Sequence, residues 1–412
     1  MTPELLAPAG SFACAEAAFA HGADAVYAGI GRFNLRAHSP NFDVDEFAEL
    51  VNFAVDRGKR VYGVANIMPD DRTLAELEDT LAQLAKRCRA PHAFIVSDPG
   101  VLSAARRIFP GTPIHLSTQS GCFNSAAMRF WRDCGVSRVI LPRELNIEQI
   151  RHLSSLDIME TEIFVHGAMC VSVSGRCLLG AYINRRHPNL GDCPQPCRLR
   201  YRIIPNAQGV DLQQDGFDAE ESAEGVYLLN SKDLCTTAIL PALIESGAAS
   251  FKIEGRSKSA HYVASAVKVY RDAIDTYIDN PRGYRPKDWW AAELDAVDHR
   301  PYTTGFYDGD PIMQEQFASK AQAGFRLIGT VKAVVDGSPV IDVKNIFSAV
   351  GEGAEPVNVL PVKKGQPPFD FRFESITELD GTDCRQARPN RLVVLRGCSK
   401  NLRVGDMLRV KS

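Results

Sequence analysis

Four cysteines give this 412-residue chain its densest potential chemistry. Cys170, Cys177, Cys193 and Cys197 lie in the stretch EIFVHGAMCVSVSGRCLLGAYINRRHPNLGDCPQPC; six residues separate the first pair and three the second. Gly167, Gly175, Gly180 and Gly191 allow the backbone to turn between them, and Pro194 and Pro196 hold the second pair in an extended turn. Four thiolates on one loop suit Zn²⁺ or an iron–sulfur cluster. Neither pair has the two-residue knuckle spacing usual in zinc ribbons, and the C-x3-C-x2-C triplet is absent. Spacing therefore leaves a cluster, zinc and unliganded or redox-active thiols open. Cys235, in LLNSKDLCTT, is a further candidate that could replace Cys197, or else a buried cysteine at a helix start. Eleven cysteines, an odd number, are too few for a disulfide scaffold of this length and point to a reducing, cytoplasmic setting.

Polar residues at the ends of apolar runs are the other candidates: Asn66, Asp98, His115, Gln119, Arg143, Glu144, His166, Lys252, Glu254 and Arg256. Lys252, Glu254 and Arg256 alternate along one predicted strand, so their side chains share a side. Such charges must pair or meet a ligand, and Arg256 suits a carboxylate. Arg143 and Glu144 adjoin another strand end. Tyr27 and His166 could stack on a base or orient it. Arg176, Arg185, Arg186, Arg198 and Arg200 surround the cysteines, a density suited to RNA phosphates. Residues 385–412 add 8 basic residues against 1 acidic residue, including Arg391, Arg396 and Arg409, although the whole chain carries a net charge of −3. There is no HExxH, no GxSxG and no convincing Cys–His nucleophile pattern, so a peptidase is the lesser alternative.

The elements that must position these groups follow a repeating plan. Apolar runs at 4–10, 25–29, 60–67, 93–98, 113–118, 138–144, 160–167 and 249–255 are mostly continuous, as in parallel strands buried on both faces. Amphipathic segments at 47–58, 73–88, 146–156 and 259–278 predict helices between them, with Thr73 and Glu76 as a capping box. Eight such units predict an α/β fold, a (β/α)8 TIM-like barrel over residues 1–280. The alternative, a doubly wound sheet, lacks its GxGxxG. The long gap between the seventh and eighth strands places a cysteine-rich insertion, 165–235, where a barrel builds its site. Residues 281–323 read as a linker with a short helix, and 324–412 as a small all-β barrel with short strands and Gly turns. No transmembrane run or basic-flanked signal segment is evident.

EIFVHGAMCVSVSGRC, with ELLAPAG, GADAVYAG, SDPG, HLSTQ, LPREL, NSKDL, KIEGRSKS and HRPYTTGF in order along the chain, resembles the collagenase-like peptidase family, the thirty-second of peptidase clan U. The C-x3-C pair is most similar to the family's tRNA uridine hydroxylase branch. Despite the family name, that resemblance implies oxygen-independent hydroxylation of a tRNA wobble uridine to 5-hydroxyuridine. It also implies a [4Fe–4S] cluster on Cys170, Cys177, Cys193 and Cys197, with prephenate as co-substrate and tRNA as partner. Other branches imply ribosomal RNA or a quinone precursor as substrate. The connection from Cys197 to NSKDL is shorter than in the tRNA branch.

Overall fold

A computed structural model describes residues 2–37, 39–201, 229–309, 323–348 and 356–412. Nine strands form its first part: β1 (Glu4–Ala9), β2 (Ala25–Gly29), β3 (Arg60–Ala65), β4 (Ala93–Val96), β5 (Ile114–Leu116), β6 (Arg138–Ile140), β7 (Glu160–Ala168), β8 (Asp233–Cys235) and β9 (Ser250–Ile253). Strands β1 to β7 pair in parallel in chain order. β9 then closes the ring, parallel to β1 at Leu6–Lys252 and to β7 at Ile163–Phe251. The fold is thus the closed eight-stranded parallel barrel of the TIM type, with helices around it. β8 stands outside the ring, antiparallel to the end of β7, and β10 (Tyr302–Thr303) extends it.

Local sequence explains the helices. Asp43 caps Val44–Val55 with Glu46 in a reciprocal capping box, and Asn146 and Gln149 do the same for Ile147–Ser155. The predicted cap at Thr73 is corrected: helix Asp71–Ala85 starts earlier, and the Asp70 carboxylate takes the Thr73 amide at 2.8 Å. A carboxylate is the stronger acceptor at a helix N-terminus, so the earlier acid wins. Among the described residues, no helix is long and apolar enough to cross a membrane.

The barrel interior is charged. Arg138 bridges Glu4 (2.7 Å), Glu160 (2.7 Å) and Glu162 (3.3 Å), and Lys252 meets Glu162 at 2.9 Å. Buried charges are tolerated there because each is answered by an opposite one. Tyr62 donates to Glu4 at 2.6 Å and packs edge-on against His115. His115 is thereby part of the barrel floor.

The second part is a curled antiparallel sheet. Its strands are β11 (Phe325–Val335), β12 (Ser338–Val343), β14 (Val357–Leu360), β15 (Phe369–Phe371), β16 (Ser375–Thr377), β18 (Leu392–Arg396) and β19 (Met407–Lys411), in the order β15-β14-β19-β11-β12-β18-β16. A separate ribbon joins β13 (Phe347–Ser348) to β17 (Gln386–Ala387). Val331, Ile341, Val359, Phe371, Val393 and Leu408 fill its core. Ala17 and Ala264 of the barrel helices pack against Leu360 and Met407 of the sheet. Beside them Arg409 forms a bidentate ion pair with Glu293, at 2.6 and 2.7 Å, both side chains almost fully buried. The expectation that the whole basic tail faces RNA is therefore corrected for Arg409, which is an interdomain tie.

Candidate functional site: the barrel mouth

The strand ends open onto a cavity of about 150 Å³. Arg143, Lys252, Glu254, Arg256, Asn66, Gln119 and Cys170 all line it, as do Tyr27 and Phe164. One cysteine thus shares the cavity with the strand-end charges. A larger cleft of about 660 Å³ lies between barrel and sheet domain, but its lining is mainly apolar and lacks the strand-end groups. Two of its lysines are neutralised locally, Lys332 by Glu16 (3.2 Å) and Lys344 by Asp342 (2.9 Å). The mouth is therefore the better site.

The charges at the mouth are mostly positive, with Arg36, Arg143, Lys252 and Arg256 against Glu254. Glu254 and Arg256 lie just beyond β9, across Gly255, rather than within one alternating strand. Lys252 belongs to the floor: it is held by Glu162 and sits 4.4 Å from the Tyr27 ring centre. Burial pulls its ammonium pKa down while Glu162 opposes this. Arg36, which sequence reasoning did not single out, pairs with Glu254 at 3.0 Å. Burial alone would raise the Glu254 carboxyl, but Arg36 and Arg143 outweigh it and hold it down at about 2. Arg256 is 4% exposed, and its Nε has no partner. Its terminal nitrogen contacts the Asn41 side chain. Burial lowers its pKa to about 10. Three guanidiniums, of Arg36, Arg143 and Arg256, thus line the mouth beside one carboxylate, that of Glu254. Arg143 also lies over the Phe164 ring at 3.8 Å.

The cysteine segment is fastened over this mouth. Glu144 does not line the cavity; its carboxylate accepts the Ser174 amide at 2.8 Å and the Ser174 hydroxyl at 3.1 Å. Gly175, at φ +78°, passes so close to the Gln119 carbonyl that a Cβ would overlap it. Gly191, at φ +89°, lies likewise against the Asn34 carbonyl. Met68 donates its amide to Asn189 at 3.0 Å. All four cysteines are free thiols. Burial raises the Cys197 thiol pKa; the charge of Arg198 opposes this, and Cys170, Cys193 and Cys177 add to it. That influence on Cys197 puts the other three in its locality. Among the described residues no three His, Cys, Asp or Glu side chains converge on a single ion. A multi-iron cluster asks instead for thiolates spaced around it. Cys235 is elsewhere, in β8 beside Tyr270 and Thr237.

His166 is also elsewhere. Phe164 faces the cavity, but a bulge in the β7–β9 pairing between Phe164 and His166 turns the histidine out to the helix layer. There it packs against Tyr262, Tyr270 and Tyr302, with Nε2 buried and unpartnered. Burial lowers its pKa to about 3. The folded value lies below the ordinary value of about 6.5, so its contribution to stability is full above that pH and is lost as pH falls towards 3. Between pH 7.5 and 5 this one group should cost ~2 kcal/mol of stability. His166→Phe should remove that share of the acid sensitivity in denaturant titrations and leave product formation intact. Loss of product with unchanged acid sensitivity would instead place His166 at the chemistry.

A closed parallel barrel with a thiol-rich loop fastened over a cationic mouth is the architecture of an α/β-barrel enzyme. The profile of Peptidase family U32 matches residues 10–316, and the chain belongs to that family. It is 35% identical over 420 residues to "tRNA hydroxylation protein P1" of Bacillus subtilis, covering 99% of this chain and 94% of that protein. It is 37% identical over 394 residues to "tRNA hydroxylation protein P" of Escherichia coli, covering 86% of this chain and 85% of that one. Over 276 residues it is 36% identical to "23S rRNA 5-hydroxycytidine C2501 synthase" of Escherichia coli, covering 67% and 40% respectively.

Proposed function

We propose that this chain hydroxylates RNA, converting a tRNA wobble uridine to 5-hydroxyuridine, with a [4Fe–4S] cluster on Cys170, Cys177, Cys193 and Cys197 and a small carboxylate such as prephenate as co-substrate. The observation that carries this reading is the gathering of four free thiols beside a cationic cavity at the barrel mouth. The likeness over most of the chain to two proteins named for tRNA hydroxylation supports the reaction class.

The four cysteines would hold the cluster, which supplies redox or Lewis-acid chemistry when bound. The chain's own residues bind and orient. Arg256, buried with an unpartnered Nε, receives the carboxylate of the co-substrate. Glu254, ionised at neutral pH, anchors Arg36 and is not a proton donor there. The Tyr27 phenol, its pKa raised chiefly by burial and then by Glu254, keeps its proton and donates to the Ile253 carbonyl at 3.0 Å. An unpaired anticodon base costs less to bring into the mouth than one taken from a duplex.

Proteolysis is the weaker reading. Among the described residues no histidine lines the cavity to activate Cys170. Thiolates committed to iron are not free nucleophiles.

Nucleoside analysis of tRNA from a strain lacking the gene tests the proposal: 5-hydroxyuridine and its derivatives should disappear and return with the wild-type gene. Unchanged tRNA nucleosides would overturn it. Arg256→Ala should lower product formation about 10- to 100-fold, the scale of a lost charge-assisted contact, while tRNA affinity stays the same. An equal fall in tRNA affinity would reassign Arg256 to RNA binding.

A further inference from the structure

The cysteine loop carries a surface that the fold does not use. Helix Leu179–Asn184 sits between Cys177 and Cys193. Gly180 is its buried residue, held against Pro188 and Pro194. On the opposite face, Leu178 is 69% and Tyr182 92% exposed; they lie four residues apart, and the Tyr182 amide donates to the Leu178 carbonyl at 2.9 Å. Ile183 is also exposed. A tyrosine this open contributes almost nothing to packing. Arg185, exposed, ends the helix in the left-handed conformation, and Arg176, also exposed, lies two residues before Leu178 in the chain.

The charge around this surface selects its occupant. Residues 168–201 contain five arginines and one acidic residue, Asp192. Asp192 is engaged by Arg186 at 2.6 Å. A face docking another protein's apolar patch gains nothing from such an excess. An unpaired nucleotide needs both parts, a flat ring for its base and guanidiniums for its phosphate.

We propose that Tyr182, with Leu178 one helical turn before it and the exposed Arg176 and Arg185 flanking the helix in the chain, is a stacking platform for an unpaired RNA base neighbouring the one that enters the mouth. The platform rests on the RNA-hydroxylase reading and adds how the loop grips its substrate. Tyr182 is a binding residue here, without a part in the reaction itself.

The test uses the full chain purified anaerobically and an anticodon stem-loop RNA carrying 2-aminopurine beside the target uridine. Tyr182→Ala should raise the Kd for this RNA about tenfold and abolish the quenching of 2-aminopurine fluorescence. Tyr182→Phe and Tyr182→Trp should keep both. Iron content and melting temperature should match the wild type in all three. A Kd within twofold of wild type for Tyr182→Ala overturns the platform, as does Tyr182→Phe weakening binding as much as Tyr182→Ala, since a hydroxyl contact is then at work. A wild-type dimer that Tyr182→Ala converts to monomer with unchanged RNA affinity overturns it too, assigning the face to a second copy. If the wild type forms no hydroxylated product on tRNA, the failure belongs to the function proposed above. If it does and the platform variants behave as wild type, only the platform fails.

Discussion

Replacing any one of Cys170, Cys177, Cys193 or Cys197 with serine should strip the anaerobic protein of its broad visible absorbance and bound iron and lower product formation at least about 100-fold, beyond the 10- to 100-fold typical of residues that only support a ligand. The four are equivalent in this expectation because they share one locality, as the effect of the other three on Cys197 indicates. Cys235→Ser is the control. Its sulfur lies in β8 within 3.8 Å of the Tyr270 hydroxyl, in the aromatic layer outside the barrel. That variant should keep both iron and product. If Cys197→Ser keeps its iron and Cys235→Ser loses it, the fourth ligand is Cys235. Stoichiometric zinc without iron after anaerobic reconstitution would overturn the cluster altogether. The folded barrel should survive each substitution, because the loop is fastened from outside the core by Glu144, Gly175 and Gly191.

The barrel was legible because both-sided burial leaves continuous apolar runs, and all eight ring strands coincide with such runs. Lys252, Glu254, Arg256 and Arg143 were legible as strand-end charges because a barrel puts its strand ends at one mouth. Three features escaped for physical reasons. Arg36 lies in the loop after β2, where no periodicity marks a side chain that crosses to Glu254 in contact with a distant strand end. His166 was misplaced because a bulge shifts its pairing, and nothing in the alternation of β7 announces it. Arg409 was counted with a basic tail because charge composition cannot distinguish an exposed guanidinium from one that is answered inside the fold.

That last distinction carries a large expected effect. The Arg409 guanidinium makes two bonds to Glu293, one to the Asn358 side chain at 2.9 Å and one at 3.1 Å to His261 Nε2. Burial, aided by the positive charge of Arg409, lowers the His261 pKa to about 3, so its ring is neutral and free to accept that bond. Arg409→Met would keep the chain's bulk but leave Glu293 charged and unpaired in a site where it is 2% exposed. Breaking a buried pair in this way costs about 3–5 kcal/mol, whereas replacing both partners with apolar groups is often close to neutral. Arg409→Met should therefore lower the denaturant midpoint sharply, and Arg409→Met with Glu293→Leu should recover most of the loss. Neither should change the salt dependence of tRNA binding, because no phosphate contact is removed. The exposed Arg391 and Arg396 are the contrast. Their joint reversal to Glu should weaken tRNA binding and flatten its salt dependence by roughly 0.7 per lost single-strand contact, without bleaching the cluster. If Arg409→Met left stability unchanged and flattened the salt slope instead, Arg409 would reach the RNA and the tie between barrel and sheet would have to lie in the apolar contact of Ala17 and Ala264 with Leu360 and Met407.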